Sequence, residues 1–259
     1  MPNEHAEPNE IEVRECTTID EFEACVRMQR EVFGLPDVDI APRPYLVVLR
    51  RAGGWTLGAF DGSRLVGFVI LMVAARNGRE LIGYSHKMAV TPAYQNRGLG
   101  ARLKWAQRER ALLEGKSYIT WTWEPMGARN AHFNLNLLGA TVRSYGVNFY
   151  GTNYGIPPEQ AARGPGIDSD RLFAEWDLNS ARVRELAMGR SSVEVAAPAR
   201  TIEIPPDWRA LLQSDGEAAR REQLRVREEF LSAFDAGLVC AAFRRDAARP
   251  RYLLYESQT

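Results

Sequence analysis

The stretch VTPAYQNRGLGARL, Val90 to Leu103, decides how the rest of the chain is read. An apolar strand runs into it, Thr91 and Pro92 end that strand, and a helical pattern leaves it, so a glycine-spaced bend joins strand to helix. Gln95, Asn96, Arg97, Gly98, Leu99 and Gly100 present a run of backbone amides with little side-chain cover where the helix begins. Those amides have no partner within the helix, and the helix dipole adds positive potential, so a phosphate or pyrophosphate is their natural ligand. Gly98 and Gly100 let an anion approach the backbone, and Arg97 can add a charged hydrogen bond at the rim. A glycine-rich connection without a ligand is the competing reading of a lone GxG. No Lys-Ser or Lys-Thr follows the last glycine, and the preceding strand belongs to a meander. A nucleoside-triphosphate loop and a dinucleotide βαβ unit are therefore both excluded.

On the N-terminal side, Ile11 to Cys16 alternates as a strand, and Thr18 to Glu21 forms a capping box ahead of a helix that stops near Gly34. YLVVLRRAGG reads as one or two helical turns. Trp55 to Phe60, Arg64 to Ala75 and LIGYSHKMAV form an antiparallel meander, turned at Asp61-Gly62 and Asn77-Gly78. On the C-terminal side, a helix from Ala101 to Gly115 places Leu103, Ala106, Arg110 and Leu113 roughly on one face. Ser117 to Trp123 is a strand able to lie parallel to the one before the bend, Arg129 to Leu138 a helix, and Ala140 to Tyr150 one or two further strands. Gly155 to Asp170 has the composition of a linker. Beyond it come a strand in RLFAEWDL, a short helix at Ala181 to Met188 and a loop at Gly189 to Arg200. A strand at Thr201 to Ile204, a helix started by a capping box at Ser214 to Glu217 and a last hairpin from Leu238 to Tyr255 complete the chain.

The bulk numbers confine the function. Thirty-three Lys and Arg balance thirty-three Asp and Glu, so no global field draws the protein to nucleic acid or an anionic membrane, and any anion site is local. The N-terminus lacks the basic start and apolar stretch of a signal peptide, and no apolar run reaches the roughly 18 residues of a membrane span. Cys16, Cys25 and Cys240 are scattered, without metal or disulfide spacing. A cytoplasmic protein without a metal is expected.

QNRGLG between a fourth strand and a third helix resembles the signature of the GNAT superfamily of acyl-CoA-dependent N-acyltransferases, matched at Gln95, Gly98 and Gly100. The element order from Ile11 to about Asn153 is similar as well. The resemblance implies an α/β GNAT acyltransferase fold, a mixed, mostly antiparallel sheet flanked by helices, with an extra α/β C-terminal region. The expected organisation is a flexible tail at 1–10, an acyl-CoA-binding domain at 11–153, a linker at 154–170, and a region at 171–259 that packs on that domain or on a partner subunit. The co-substrate implied is acetyl-CoA or another short acyl-CoA. Its pyrophosphate is assigned to Gln95, Asn96, Arg97, Gly98, Leu99, Gly100 and Ala101, and its pantetheine to the main chain of Met88, Ala89 and Val90, with Asn130 assisting. Arg102 and Lys104 can reach the ribose phosphate, the solvated face of the helix being the alternative. In this family the fourth and fifth strands splay apart and admit the thioester.

Acyl transfer to an amine needs a neutral amine, a polarised thioester carbonyl and a proton for the departing thiolate, but no acyl-enzyme. Glu124, which follows the fifth strand, is the candidate base. Tyr84, His86, Met88 and Val90 share one face of the fourth strand if it has no bulge; Tyr84 lines up with a family position for a basic side chain, and His86 has the better intrinsic pKa. The second family motif is broken. Aligned on Gly139, Leu135 stands where the family has the tyrosine that protonates the thiolate, and Ala128 replaces an asparagine, leaving Asn134, Tyr145 or Tyr150 to assist the leaving group.

The tail is too apolar for a solvated linker. Arg171, Glu175 and Asp177 share the polar face of RLFAEWDL with Phe173; beside an acyl pocket such a strand can select a charged substrate, and a homodimer contact is the alternative. With ARNAHFNL followed by LGA after a Trp-rich strand, the chain resembles a long GNAT subgroup, some of whose members are associated with N-acylamino-acid metabolism. The function expected is transfer of an acetyl or short acyl group, including succinyl, to a small-molecule amine such as an amino acid. A catalytically weak acyl-CoA-binding module is the alternative.

Overall fold

The computed structural model describes residues 10–152, 154–155, 166–190 and 197–257. Nearly all of the tail expected at 1–10, most of the linker expected at 154–170 and part of the loop expected between Gly189 and Arg200 lie outside the described residues. The chain divides into two compact units, Met1–Lys116 and Ser117–Thr259.

In the first unit β1 (Glu12–Glu15), β2 (Trp55–Asp61), β3 (Arg64–Arg76) and β4 (Glu80–Val90) pair in that order, each antiparallel to the next. The β3–β4 turn places Asn77 and Gly78 in succession at φ 51° and 72°, a left-handed backbone that these two residue types tolerate best. Helix α1 (Ile19–Phe33) starts on the expected capping box: Thr18 Oγ1 accepts from the Glu21 amide at 3.3 Å and Glu21 Oε2 from the Thr18 amide at 3.0 Å. Together with α2 (Arg43–Arg51) it buries Phe22, Cys25, Met28, Leu46 and Leu49 against Phe60, Phe68, Ile70 and Ala89 of the sheet. Helix α3 (Leu99–Leu113) covers the opposite face, and Gly67 makes room for it: a Cβ there would meet Leu103 at 3.1 Å.

Two expectations fail in this unit. The buried face of α3 is Leu99, Leu103, Lys104, Gln107 and Ala111, whereas Leu113 is 87% exposed. Lys104 and Gln107 are polar enough to look solvated, yet they satisfy each other in the interior, Nζ to Oε1 at 2.7 Å, with Ser85 Oγ a second partner of Nζ at 3.0 Å. Strand β4 also carries a bulge. Val69 pairs with Met88 but Leu71 with Ser85, so Ile70 faces both His86 and Lys87, and Tyr84 and His86 do not continue the side-chain alternation of Met88 and Val90.

The second unit holds β5 (Tyr118–Trp123), β6 (Thr141–Gly146), β7 (Arg171–Asp177), β8 (Arg200–Glu203), β9 (Leu238–Arg244) and β10 (Arg251–Glu256) in the order β5-β7-β6-β9-β10-β8, all neighbours antiparallel. Strand β7 lies between β5 and β6, with Leu172, Ala174 and Trp176 fully buried. Helix α4 (Ala128–His132) continues through a π turn at Phe133–Leu137. Helices α5 (Ala181–Ala187), α6 (Trp208–Ser214) and α7 (Gly216–Asp235) follow, and α6 was not anticipated. Ser214 closes α6 instead of capping α7. The cap is Asp215, which accepts from the Ala218 amide at 2.9 Å, because an aspartate one residue later takes the same free amides. No helix among the described residues is long and apolar enough to cross a membrane.

Candidate functional site

The glycine bend runs from Gln95 to Gly100, between β4 and the first turn of α3. Asn96 and Gly98 both adopt left-handed backbone, φ 60° and 78°, which turns the chain sharply after the single 3-10 turn Pro92–Tyr94. Gly98 is the N-cap of α3 and offers no side chain, so no N-cap side chain bonds the first-turn amides, and a Cβ at Gly98 would meet open space. Gln95 Nε2 donates to the Val90 carbonyl at 2.9 Å and pins the bend to the end of β4. The Tyr94 hydroxyl donates to Asp61, and the Arg97 guanidinium stands 5.9 Å from the Tyr94 ring. Asn96, Arg97 and Gly98 are exposed, Leu99 is buried, and Gln95, Gly100 and Ala101 are half-buried. Backbone amides at a helix terminus carry partial positive charge, the chemistry that suits an anion. Neither basic residue expected at the ribose phosphate is held as a free arm: Arg102 Nη2 donates to the Ile11 carbonyl at 2.7 Å, and Lys104 is buried.

Along β4, Met88, Ala89 and Val90 pair with Val69, Phe68 and Gly67, directly ahead of the bend. At the bulge, His86 packs edge-on to Tyr45 at 5.7 Å, and Lys87 Nζ donates to the Asp39 carbonyl at 2.5 Å. Burial, followed by the charge of Lys87, pushes the imidazole down to about 4, and its Nδ1 is buried without a partner. His86 is therefore neutral near pH 7 and a weak proton acceptor. Tyr84 is half-buried two residues before it.

In the second unit Glu124 follows β5 directly and is half-buried. Its Oε1 accepts from Trp208 Nε1 at 2.9 Å, a partner 84 residues later in the chain. The next residue is clamped too: the Tyr252 hydroxyl donates to the Pro125 carbonyl at 2.6 Å and accepts from Trp123 Nε1 at 3.4 Å. Trp208 and Tyr252 were visible in the sequence only as apolar residues of the tail. No local pattern announces that their polar atoms hold the WTWEP segment, because the pairing is entirely non-local.

Trp121 and Trp123 share the buried face of β5. Trp121 packs edge-on to Trp176 at 5.6 Å, and its Nε1 donates to Asn134 Oδ1 at 3.3 Å. Asn134 is thus a buried structural partner. Leu135 is fully buried and supplies no acid. The Tyr145 hydroxyl donates to Asp170 Oδ2 at 2.7 Å, and burial, then the Asp170 charge, raise its pKa far above the ordinary phenol value, which removes it as a proton donor. Tyr150, 42% exposed, keeps its hydroxyl 3.3 Å from Thr122 Oγ1, and Asn130 is exposed on α4.

Residues 20–133 match the acetyltransferase (GNAT) family model. Among solved structures, the ribosomal-protein-S18-alanine N-acetyltransferase from Escherichia coli is similar over 66% of this chain and 96% of its own, with a TM-score of 0.51 at 14% identity. The acetyltransferase of the GNAT family from Streptococcus pneumoniae is similar over 64% of this chain and 98% of its own, with a TM-score of 0.50 at 18% identity. At such identities the likeness is one of fold. No curated protein matched the sequence. The segment similar to the GNAT acetyltransferase family, residues 20–133, contains the glycine bend, its flanking strand and helix, Glu124 and α4.

Proposed function

We propose that the protein transfers an acetyl or short acyl group, succinyl included, from acyl-CoA to the amine of a small molecule such as an amino acid, by direct attack and without an acyl-enzyme. The observation that carries this reading is the bend from Gln95 to Ala101, where left-handed Asn96 and Gly98 open a helix whose first amides no side chain caps. In this reading Gln95, Asn96, Arg97, Gly98, Leu99, Gly100 and Ala101 hold the pyrophosphate, while Met88, Ala89, Val90 and Asn130 meet the pantetheine.

Glu124 acts as proton acceptor. Its negative charge attracts the ammonium form of the acceptor and stabilises the positive charge that develops on nitrogen as the C–N bond forms. A buried neutral imidazole offers no such charge, so His86 serves beside Tyr84 as a neutral polar neighbour. A thiol leaves readily, and the loss of the family tyrosine at Leu135 slows the step more than it forbids it. The broken second motif is also what supports the alternative, a catalytically weak acyl-CoA-binding module.

Calorimetric titration of the purified protein with coenzyme A, acetyl-CoA and succinyl-CoA tests the reading. Binding of an acyl form establishes the co-substrate and the preferred donor, and turnover on an amine panel then separates enzyme from binding module. Absence of binding to the folded protein refutes both.

A further inference from the structure

Arg171 opens β7 on the face opposite buried Leu172, Ala174 and Trp176, in line with Phe173 and Glu175. Its neighbours on that face are provided for: Glu175 pairs with Arg143 at 2.5 Å, and Phe173 packs edge-on to Phe149 at 5.2 Å. Arg171 is not. Among the described residues no carboxylate forms an ion pair with it, and its Nε is buried without a hydrogen-bond partner. The guanidinium lies over two rings instead, 5.1 Å from the Tyr150 centroid and 5.5 Å from that of Tyr154, and these rings stack on each other at 4.6 Å. By contrast Arg227 binds Asp168 and Asp170 at 2.6 and 2.9 Å, and Arg225 binds Glu222 and Glu229, each at 2.7 Å.

The platform is fixed before any ligand arrives. The Tyr150 amide donates to Ser169 Oγ at 2.7 Å, the Phe149 amide to the Ser169 carbonyl at 3.1 Å, and the Asn148 amide to Asp170 Oδ1 at 2.9 Å. Phe149 and Tyr150 are 47% and 42% exposed, an apolar rim beside the cation. Ring faces hold a guanidinium without using its N–H groups, so its planar fork stays available to an acceptor with two oxygens in one plane. A half-buried guanidinium without an ion-pair partner among the described residues is unfavourable, and a bound carboxylate supplies that countercharge.

We infer that Arg171 is a carboxylate-binding residue that selects an amino acid, rather than a simple amine, as acyl acceptor. Tyr150 and Tyr154 hold the guanidinium, and Phe149 and Phe173 offer apolar surface to the acceptor's side chain. The inference rests on the acyl-transfer reading above and narrows its substrate class.

The test compares matched acceptors, L-leucine with 3-methylbutylamine and L-phenylalanine with 2-phenylethylamine, in the full-length wild type, Arg171→Met and Arg171→Lys, with acetyl-CoA and succinyl-CoA as donors. Expected is a rise of about tenfold or more in KM for the amino acids in Arg171→Met, a smaller rise in Arg171→Lys, and changes within about twofold for the two amines. Equal effects on both members of a pair, or a wild type that prefers the amines, would overturn the inference and leave the transfer reading standing. Should no acceptor turn over, calorimetric titration of L-leucine and L-phenylalanine into the coenzyme A-loaded protein decides. Binding that is lost in Arg171→Met and partly kept in Arg171→Lys upholds the carboxylate site while the transfer reading fails, whereas no binding, or binding indifferent to Arg171, sinks the inference.

Discussion

The indole Nε1 of Trp208 donates a 2.9 Å hydrogen bond to Glu124 Oε1, so a residue from outside the matched family segment sets the position of the carboxylate proposed as base. Trp208 is 6% exposed and cannot swing away without opening the core around it.

Trp208→Phe keeps the ring and removes the donor. A hydrogen bond to a charged group contributes about 1.5–3 kcal/mol, so kcat on a good acceptor is expected to fall by roughly tenfold, with acyl-CoA affinity unchanged. Glu124→Gln should fall further, by about 100-fold or more. Steady-state kinetics beside calorimetric acyl-CoA titration check both, and a full-speed Glu124→Gln enzyme would remove Glu124 from the mechanism.

At the bend, Gly98→Ala places a Cβ in open space but at φ 78°, which costs about 1–2 kcal/mol of stability and leaves the amides accessible. Gly98→Glu adds bulk and negative charge at the mouth of the cradle. It should abolish coenzyme A binding while unfolding at nearly the same denaturant midpoint as Gly98→Ala; tight binding by this variant would show that the pyrophosphate lies elsewhere.

His86 makes stability depend on acid. Its folded-state value near 4 lies below the ordinary 6.5, so between these limits the unfolded chain binds the extra proton. Stability should be fully present above about pH 6.5, decline as pH falls toward 4, and be lost below that, by up to ~3 kcal/mol. His86→Phe should flatten this part of the profile. Urea denaturation of both proteins across pH 4 to 7 measures the difference.

Asp170 is 2% exposed and holds Arg227 Nε at 2.9 Å as well as the Tyr145 hydroxyl. Asp170→Asn leaves the half-buried Arg227 guanidinium with Asp168 as its remaining carboxylate partner, and a loss of about 2 kcal/mol is expected. Because the network ties the residues before β7 to α7, chemical denaturation should show the loss whatever ligand is present. A variant as stable as the parent would mean that the network relaxes around the amide.

The features legible in the chain are those written over a few neighbouring residues. The Thr18 to Glu21 cap, the Asn77-Gly78 turn, the meander and the bend at Gln95 to Gly100 each depend on local backbone preference and on amides that must find partners nearby, so residue type and spacing state them directly. The family resemblance rides on the same local signals.

Tertiary structure decided the rest. The bulge at His86 and Lys87 is a register choice between two strands, and neither strand announces it alone. Lys104 reads as a solvated helix residue and is buried because Ser85 and Gln107 meet it. Trp208 and Tyr252 read as apolar tail residues and Arg171 as one charge on a polar strand face; what their polar atoms do follows from what other segments bring, a carboxylate for Trp208, a carbonyl for Tyr252, and two tyrosine faces, with no counter-ion among the described residues, for Arg171. Sequence determined where the chain turns and where a helix begins on a glycine N-cap, since those follow from local backbone chemistry. Which side chains became structural and which kept their chemistry available was decided only when segments distant in sequence were packed together, from the 19 residues between Ser85 and Lys104 to the 84 between Glu124 and Trp208.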